Sequence, residues 1–163
     1  MKDNIGNGSL GLRGGRVVLD DQIVAADILI EDGIIREIGT VPPTDADLDA
    51  RGLLVAPALV DIHGDAFERQ VMPRPGVFFP LETAILDTDR QLAANGIATA
   101  YHALTLSWAP GLRSIERGRA FSDALIALAP RLTVENRLQL RWETFAFEAM
   151  DPVSYTHNRA HET

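Results

Sequence analysis

A histidine and two aspartates stand at the end of an apolar run, in the segment Leu59-Val60-Asp61-Ile62-His63-Gly64-Asp65. Alternate side chains of an extended strand share a face, so His63 and Asp65 are predicted to point the same way, about 7 Å apart. A divalent cation can take both an imidazole nitrogen and a carboxylate oxygen, and Asp61 has the parity to orient the histidine. The alternative is a strand that ends in a polar turn with an incidental histidine.

Two further side chains follow this motif at positions where they can bind a ligand. Arg74 lies in the proline-rich loop Met72-Pro73-Arg74-Pro75-Gly76, where a planar guanidinium can hold a phosphate through two hydrogen bonds. His102 ends an apolar strand and is the second candidate for contact with substrate. The alternatives are a surface arginine in a loop and a structural histidine.

The strands that position the motif belong to a segment of alternating strands and helices, residues 57–152. The sequence predicts three strands and two helices, at Leu59–His63, Ile97–His102, Leu138–Glu143, Leu81–Asn95 and Leu112–Ala129. Such alternation makes a parallel α/β sheet with right-handed crossovers, either open or closed into a barrel. An eight-stranded barrel takes about 250 residues, and the pattern supplies only three units. The chain is therefore predicted to be a C-terminally truncated fragment.

Residues 15–56, which come before this segment, are predicted to be β structure. Short strands are expected at Arg16–Leu19, Asp27–Glu31, Ile34–Ile38 and Leu53–Val55. Asp32-Gly33 predicts a two-residue hairpin turn, because glycine accepts positive φ. These strands are too few for an independent sandwich and need partners from elsewhere in the polypeptide. Residues 1–14 are predicted to be a disordered tail.

Composition excludes several classes of protein. The 163 residues are 46% hydrophobic and 23% charged, as in a globular domain. No apolar stretch reaches about 18 residues, so no membrane span is expected. The net charge of −8 argues against nucleic acid as a partner. The absence of cysteine excludes disulfides and favours the cytoplasm, and nothing at the N-terminus has the form of a secretory signal.

The last segment, residues 153–163, has no helical or strand periodicity. It contains His157 and His161, whose spacing of four residues suggests a metal site. However, the segment resembles the translated read-through of a sequencing adapter, so we predict a non-native tail without chemistry. A disordered tail is the alternative.

The motif and its surroundings resemble the amidohydrolase superfamily of metal-dependent hydrolases. The residues that carry the resemblance are Pro57, the motif Leu59–Asp65, the β segment before it and the strand–helix units after it. The resemblance implies the N-terminal part of a (β/α)₈ TIM-type barrel, preceded by strands of a small β-sandwich. It places the metal site at the C-terminal ends of the barrel strands. Most members have His-x-His on the first strand, where this chain has His63-Gly64-Asp65.

Within the superfamily, His-x-Asp followed by Pro73-Arg74-Pro75 is similar to the phosphonate-pathway branch. Further matching residues are Ala94–Thr99 and Leu138–Glu143, and the similarity covers residues 15–150. Many members bridge two metal ions with a carboxylated lysine, yet the only lysine here is Lys2. The branch implies that Glu143 bridges the ions instead, with His63 and Asp65 as further ligands. Glu143 as a surface residue at a strand-to-loop junction is the alternative.

The resemblance implies a hydrolase that releases pyrophosphate from a small phosphorylated substrate, a ribose 5-triphosphate phosphonate intermediate of phosphonate catabolism. Its cofactor would be divalent metal, two ions per full-length site, with Zn²⁺ favoured and Mn²⁺ or Fe²⁺ possible. The general base and the remaining ligands lie on later strands, so no catalytic base is assigned in this chain, which is predicted to be inactive. The full-length protein can be a homo-oligomer. The alternatives are a hydrolase of cyclic or linear amides and a non-catalytic, unstable fragment.

Overall fold

The computed structural model describes residues 8–151. They form two compact units, which divide between Pro57 and Ala58, next to the division between residues 56 and 57 that the sequence predicts. The predicted non-native tail at 153–163 lies outside the described residues, as do residues 1–7.

The first unit is built on one mixed β-sheet. Its strands are β1 (Ser9–Val18), β2 (Ile23–Glu31), β3 (Ile34–Gly39), β4 (Ala46–Asp49) and β5 (Leu54–Val55). The order is β3-β2-β1-β4, and β5 also pairs with β1. The predicted hairpin joins β2 and β3, with positive φ at both turn residues, 51° at Asp32 and 74° at Gly33. This turn matches the twist of the two antiparallel strands.

The structure corrects the predicted start of this unit. Strand β1 begins at Ser9, within the segment 1–14 that was predicted to be a disordered tail. The strand could not be recognised from the sequence, because its glycines interrupt the alternation of apolar and polar residues. In the structure they lie at a register shift between Leu12 and Gly15. The side chain of Arg13 stabilises this irregular stretch through Asp27, Asp47 and the carbonyl of Val41. A second facing sheet, which a sandwich requires, is not seen in residues 8–57.

The second unit is a three-stranded parallel sheet covered by helices. Its strands are β6 (Leu59–Gly64), β7 (Ile97–Leu106) and β8 (Glu135–Trp142), in the order β6-β7-β8. The helices are α1 (Ala66–Val71), α2 (Leu81–Ala94) and α3 (Ile115–Leu128). These are the predicted strand–helix units, with α1 in addition, which the sequence did not predict. Closure into a barrel is not seen within residues 58–151.

The core of the second unit lies between the helices and one face of the sheet. Leu104 of β7 packs there with Phe67 and Val71 of α1, Ile85 of α2, and Phe121 and Leu125 of α3. Alternation along β7 then places its odd-numbered residues on the opposite face. The C-terminal ends of the three strands lie at one edge of this sheet, because the strands are parallel. In the described part of the chain no helix is long and apolar enough to cross a membrane.

Candidate functional site

His63 lies at the end of β6, and its ring contacts the third strand. Its Nδ1 lies 2.5 Å from Oε1 of Gln139 on β8. Gln139 pairs in register with Ala103 of β7, so the contact crosses a small residue of the central strand. Since an amide oxygen only accepts, Nδ1 is the donor in this contact, and Nε2 is left for another partner. The His63 side chain is exposed to solvent.

Asp61 supports His63 through the backbone rather than through the ring. Its Oδ1 accepts a hydrogen bond of 3.0 Å from the backbone N–H of His63. The carboxylate also fills the space beside Gly64, where a Cβ would lie 2.6 Å from Asp61 Oδ2. The predicted role of Asp61, orientation of the imidazole, belongs instead to Gln139.

The predicted shared face assumes that Asp65 lies on the same strand as His63, but in the structure Asp65 lies outside that strand. Strand β6 ends at Gly64, and Asp65 is the N-cap of α1 with φ −105° and ψ 4°. Its carboxylate nevertheless turns toward β8, since Oδ1 lies 3.7 Å from Nη1 of Arg141. Gln139 and Arg141 are alternate residues of one strand and share a face. His63 and Asp65 therefore both reach the same face of β8, although Asp65 does so from a turn and not from the strand on which the shared face was predicted.

Glu143 is the first residue after β8, and it has the same parity along the chain as Gln139 and Arg141. Its backbone N–H donates to the carbonyl of Leu106 at 3.2 Å, which extends the contact between β7 and β8 past the last strand residue. Its carbonyl accepts from Ala146 at 2.9 Å. Both backbone groups of Glu143 are thus held, and its exposed carboxylate is carried at the C-terminal edge of the sheet.

A cavity of about 430 Å³ opens beside Glu143. It is lined by both polar and apolar residues, Glu68, Met72, Ser107, Ala109, Pro110, Leu112, Arg113 and Glu143. Arg113 and Glu68 form a two-pronged ion pair there, with Nε–Oε1 at 2.8 Å and Nη2–Oε2 at 2.9 Å. Sequence reasoning missed both residues, because they come from a loop and from the unpredicted helix α1.

Arg113 experiences the field of several carboxylates at this edge. Glu68 raises the pKa of Arg113 most, through its hydrogen bonds and then its charge, and Asp65 and Glu143 raise it further through their charges. Two of the predicted metal ligands therefore lie near one guanidinium. Arg113 and Arg141 are the cations that lie among these acidic side chains.

Arg74 lies in the loop between α1 and α2, where its carbonyl accepts from Val77 at 3.0 Å in a tight turn. Its guanidinium is exposed and makes no hydrogen bond or ion pair with a described residue, and Arg74 does not line the cavity. Its predicted contact with phosphate stays a prediction.

The prediction that His102 binds substrate is corrected by its position. His102 is 2% exposed and points into the helical layer, between the rings of Phe67 and Phe121. Its Nε2 pairs with Oδ1 of Asn136 at 2.7 Å, and burial lowers its pKa below the ordinary value of 6.5. The strand-end position suggested a ligand, but the parity of His102 on β7 is that of the core residue Leu104.

A complete metal site is not formed by these residues alone. Within residues 8–151 there is no group of three or more histidine, aspartate or glutamate side chains close enough to bind one ion. His63, Asp65 and Glu143 supply the nitrogen and oxygen donors that Zn²⁺, Mn²⁺ and Fe²⁺ accept. They fit such an ion in their chemistry and follow one edge of the sheet, but the three side chains are not grouped closely enough to hold one ion by themselves.

Comparisons with known proteins connect this chain to hydrolases. No family model matches it. It is 48% identical over 59 residues to a dihydropyrimidinase of Rattus norvegicus, a match that covers 32% of this chain and 11% of the relative. It is 26% identical over 92 residues to an α-D-ribose 1-methylphosphonate 5-triphosphate diphosphatase of Escherichia coli, covering 56% and 24%. The chain thus spans less than a quarter of the length of these relatives.

Solved structures share its fold. A D-hydantoinase superposes with a TM-score of 0.59 and 18% identity, over 90% of this chain and 31% of the other. A dihydropyrimidinase from Brevibacillus agri gives 0.58 and 19% identity, over 91% and 31%. An N-acyl-D-glutamate deacylase from Bordetella bronchiseptica, complexed with zinc and a phosphonate inhibitor, gives 0.54 and 21%, over 82% and 29%. The chain is therefore similar in sequence to hydrolases of the amidohydrolase superfamily and shares the fold of about 31% of a D-hydantoinase chain.

Proposed function

We propose that this chain is part of a metal-dependent hydrolase that cleaves a phosphoanhydride bond and releases pyrophosphate from a ribose 5-triphosphate phosphonate. The observation that carries the proposal is that His63 and Asp65 contact Gln139 and Arg141 of β8, and that Glu143 follows the end of the same strand. Among the relatives described above, the diphosphatase match covers the larger share of this chain, 56% against 32%.

The proposed ligands are His63, through Nε2, Asp65 and Glu143. Divalent cations bound there would activate a water molecule and neutralise charge on the departing pyrophosphate. Gln139 orients the imidazole of His63 through Nδ1, so that Nε2 is the nitrogen left for such an ion. Arg141 lies beside Asp65 and keeps that carboxylate directed toward the same edge.

The activity requires residues beyond these. In our proposal the remaining metal ligands and the group that takes the proton of the attacking water are supplied by later strands of the full-length protein. The 163-residue chain by itself is then inactive. Pyrophosphate release by the purified chain would contradict this part of the proposal.

Hydrolysis of a cyclic amide is the second candidate. It is favoured by the 48% identity to the dihydropyrimidinase and by the hydantoinase fold. The absence of lysine after Lys2 counts against a carboxylated lysine in this segment. The two candidates differ in the ligand that they need at the cavity, a phosphoanhydride or an uncharged ring.

The test is a Zn²⁺ titration of the purified chain by calorimetry, beside His63→Ala and Glu143→Gln. We expect both variants to lose at least about tenfold in affinity. Glu82→Gln is the matched control, because Glu82 is an exposed glutamate on α2. Equal Zn²⁺ affinity in all four proteins would refute the metal site. Saturation of the zinc-loaded chain by dihydrouracil, with no effect of pyrophosphate, would instead favour the amide hydrolase.

A further inference from the structure

We propose that Arg113 is an anion-binding residue, which holds a phosphoryl group of the substrate in the cavity beside Glu143. The inference rests on the proposed function for the identity of the substrate, but its evidence is the geometry of the cavity. Neither the sequence motif nor the predicted phosphate contact at Arg74 points to this residue.

The first evidence is the set of hydrogen-bond donors that Arg113 keeps available. A guanidinium has five N–H donors, and the ion pair with Glu68 uses Nε and Nη2. Nη1 has no acceptor among the described residues. The Arg113 side chain is 46% exposed and lines the cavity. It therefore offers a charged, directional contact to an oxyanion that enters from solvent.

The second evidence is that the guanidinium is held before any ligand arrives. The carbonyl of Arg113 accepts from the backbone N–H of Ser107 at 2.8 Å, which anchors its loop to the end of β7. Its partner Glu68 is only 16% exposed and is fixed on α1. An arginine that is fixed at both ends loses little conformational entropy when it binds an anion.

The third evidence is the composition of the cavity. Met72, Pro110 and Leu112 make its apolar wall, while Glu68 and Glu143 are its acidic side chains. Among the described residues that line the cavity, Arg113 is the basic one. A phosphoryl group fits beside Arg113 with the uncharged part of the ligand on the apolar wall. The carboxylate of Glu68 competes with such an anion for the guanidinium.

This competition gives the proposal a distinctive test. Inorganic pyrophosphate is titrated into the ¹⁵N-labelled chain in EDTA, with the side-chain Nε–H signals of arginine as the readout. We expect Arg113→Met to weaken binding about tenfold, the loss for one charge-assisted contact. We expect Glu68→Gln to bind pyrophosphate more tightly than the wild type, because the loss of a negative charge beside the guanidinium outweighs the loss of one hydrogen-bonding anchor. Arg119→Met, at an exposed arginine of α3, controls for net charge and should change the affinity less than about twofold.

A merely structural ion pair predicts a different pattern. In that case Glu68→Gln and Arg113→Met would weaken binding alike, and the proposal would be overturned. It would also be overturned if Arg113→Met bound pyrophosphate like the wild type, or if the wild type did not bind it. Because the titration contains no metal, these outcomes leave the Zn²⁺ test of His63 unaffected. Loss of Zn²⁺ binding in His63→Ala together with an unchanged Arg113→Met would reject only the role of Arg113.

Discussion

The imidazole of His63 and the side-chain amide of Gln139 meet across the central strand β7, with Nδ1 2.5 Å from Oε1. The two residues are 76 positions apart in the sequence. The contact occupies Nδ1 of His63, so that Nε2 is the nitrogen left to bind an ion. It couples the first strand of the unit to the third at the edge where the proposed ligands lie.

Replacement of Gln139 should therefore weaken metal binding without removal of a ligand. We expect Gln139→Ala to lower the Zn²⁺ affinity about tenfold or more, because the imidazole loses its orientation. Gln139→Glu should retain the affinity, since a carboxylate accepts the same hydrogen bond. Calorimetric titration gives the comparison, and Gln91→Ala on the exposed side of α2 is the control. Equal affinities for Gln139→Ala and the control would show that the contact does not orient a ligand.

The buried His102 predicts a dependence of stability on pH. Its pKa is lowered in the folded protein, first by burial, so the unfolded chain binds the proton more readily. The contribution of His102 to stability should therefore fall as the pH drops from above 6.5, the ordinary pKa of histidine, toward its lowered pKa in the folded protein.

Urea unfolding at several pH values, for the wild type and His102→Gln, checks this sign. The difference in unfolding free energy between the two proteins should shrink as the solution becomes more acidic. Gln91→Ala serves as a control, because Gln91 is exposed and does not titrate, and this variant should keep the pH dependence of the wild type. A difference that stays constant from neutral to acidic pH would contradict the prediction.

Asp89 should be among the residues on which the stability of the second unit depends most. It is 2% exposed, and its carboxylate accepts hydrogen bonds from the backbone N–H groups of Thr133 and Val134 and from Asn136 Nδ2. We expect Asp89→Asn to lower the unfolding free energy by about 3 kcal/mol, because buried donors lose a charged acceptor. Chemical denaturation measures the effect. Asp87→Asn, on a less buried position of the same helix, should cost less than about 1 kcal/mol, and equal losses would argue against the network.

Loss of the hydroxyl should lower the stability of the protein at one of two buried threonines but not at the other. Thr88 Oγ1 donates to the carbonyl of Ala84 at 2.8 Å, whereas Thr105 Oγ1 is buried with no partner among the described residues. Thr88→Val should cost about 1 kcal/mol of stability, and Thr105→Val should leave it unchanged or raise it. Thermal unfolding of both variants tests the contrast. A large destabilisation by Thr105→Val would show that its hydroxyl has a partner in solution.

Local patterns were sufficient to predict the β2–β3 hairpin and the two longer helices, but not β4 or α1. The hairpin at Asp32-Gly33 and the helix α2 followed from turn chemistry and apolar periodicity, which depend on neighbouring residues only. Strand β4 was missed because Ala46-Asp47-Leu48-Asp49 is exposed and short. Its main support is a parallel partner in β1, and that pairing cannot be read from the segment itself.

The candidate site was only partly predictable for the same reason. His63 and Asp65 were visible as a motif, and Glu143 through a family resemblance. Gln139 and Arg141 occupy alternate positions before Glu143, so the parity of β8 would have identified them once Glu143 was chosen. Arg113 and Glu68 carry no such pattern, since their pairing depends on how a loop and a short helix fold together over 45 positions.

The contacts of Asp89 also have a consequence for the order of folding. They join residues 44 and 45 positions apart, from the middle of α2 to the residues just before β8. A loop of that length must close before the carboxylate gains its partners. The chain therefore loses conformational entropy first, and the hydrogen bonds form later. The hydrogen bonds of Asp89 at the start of β8 should consequently form late in folding. Asp89→Asn would then accelerate unfolding far more than it slows refolding.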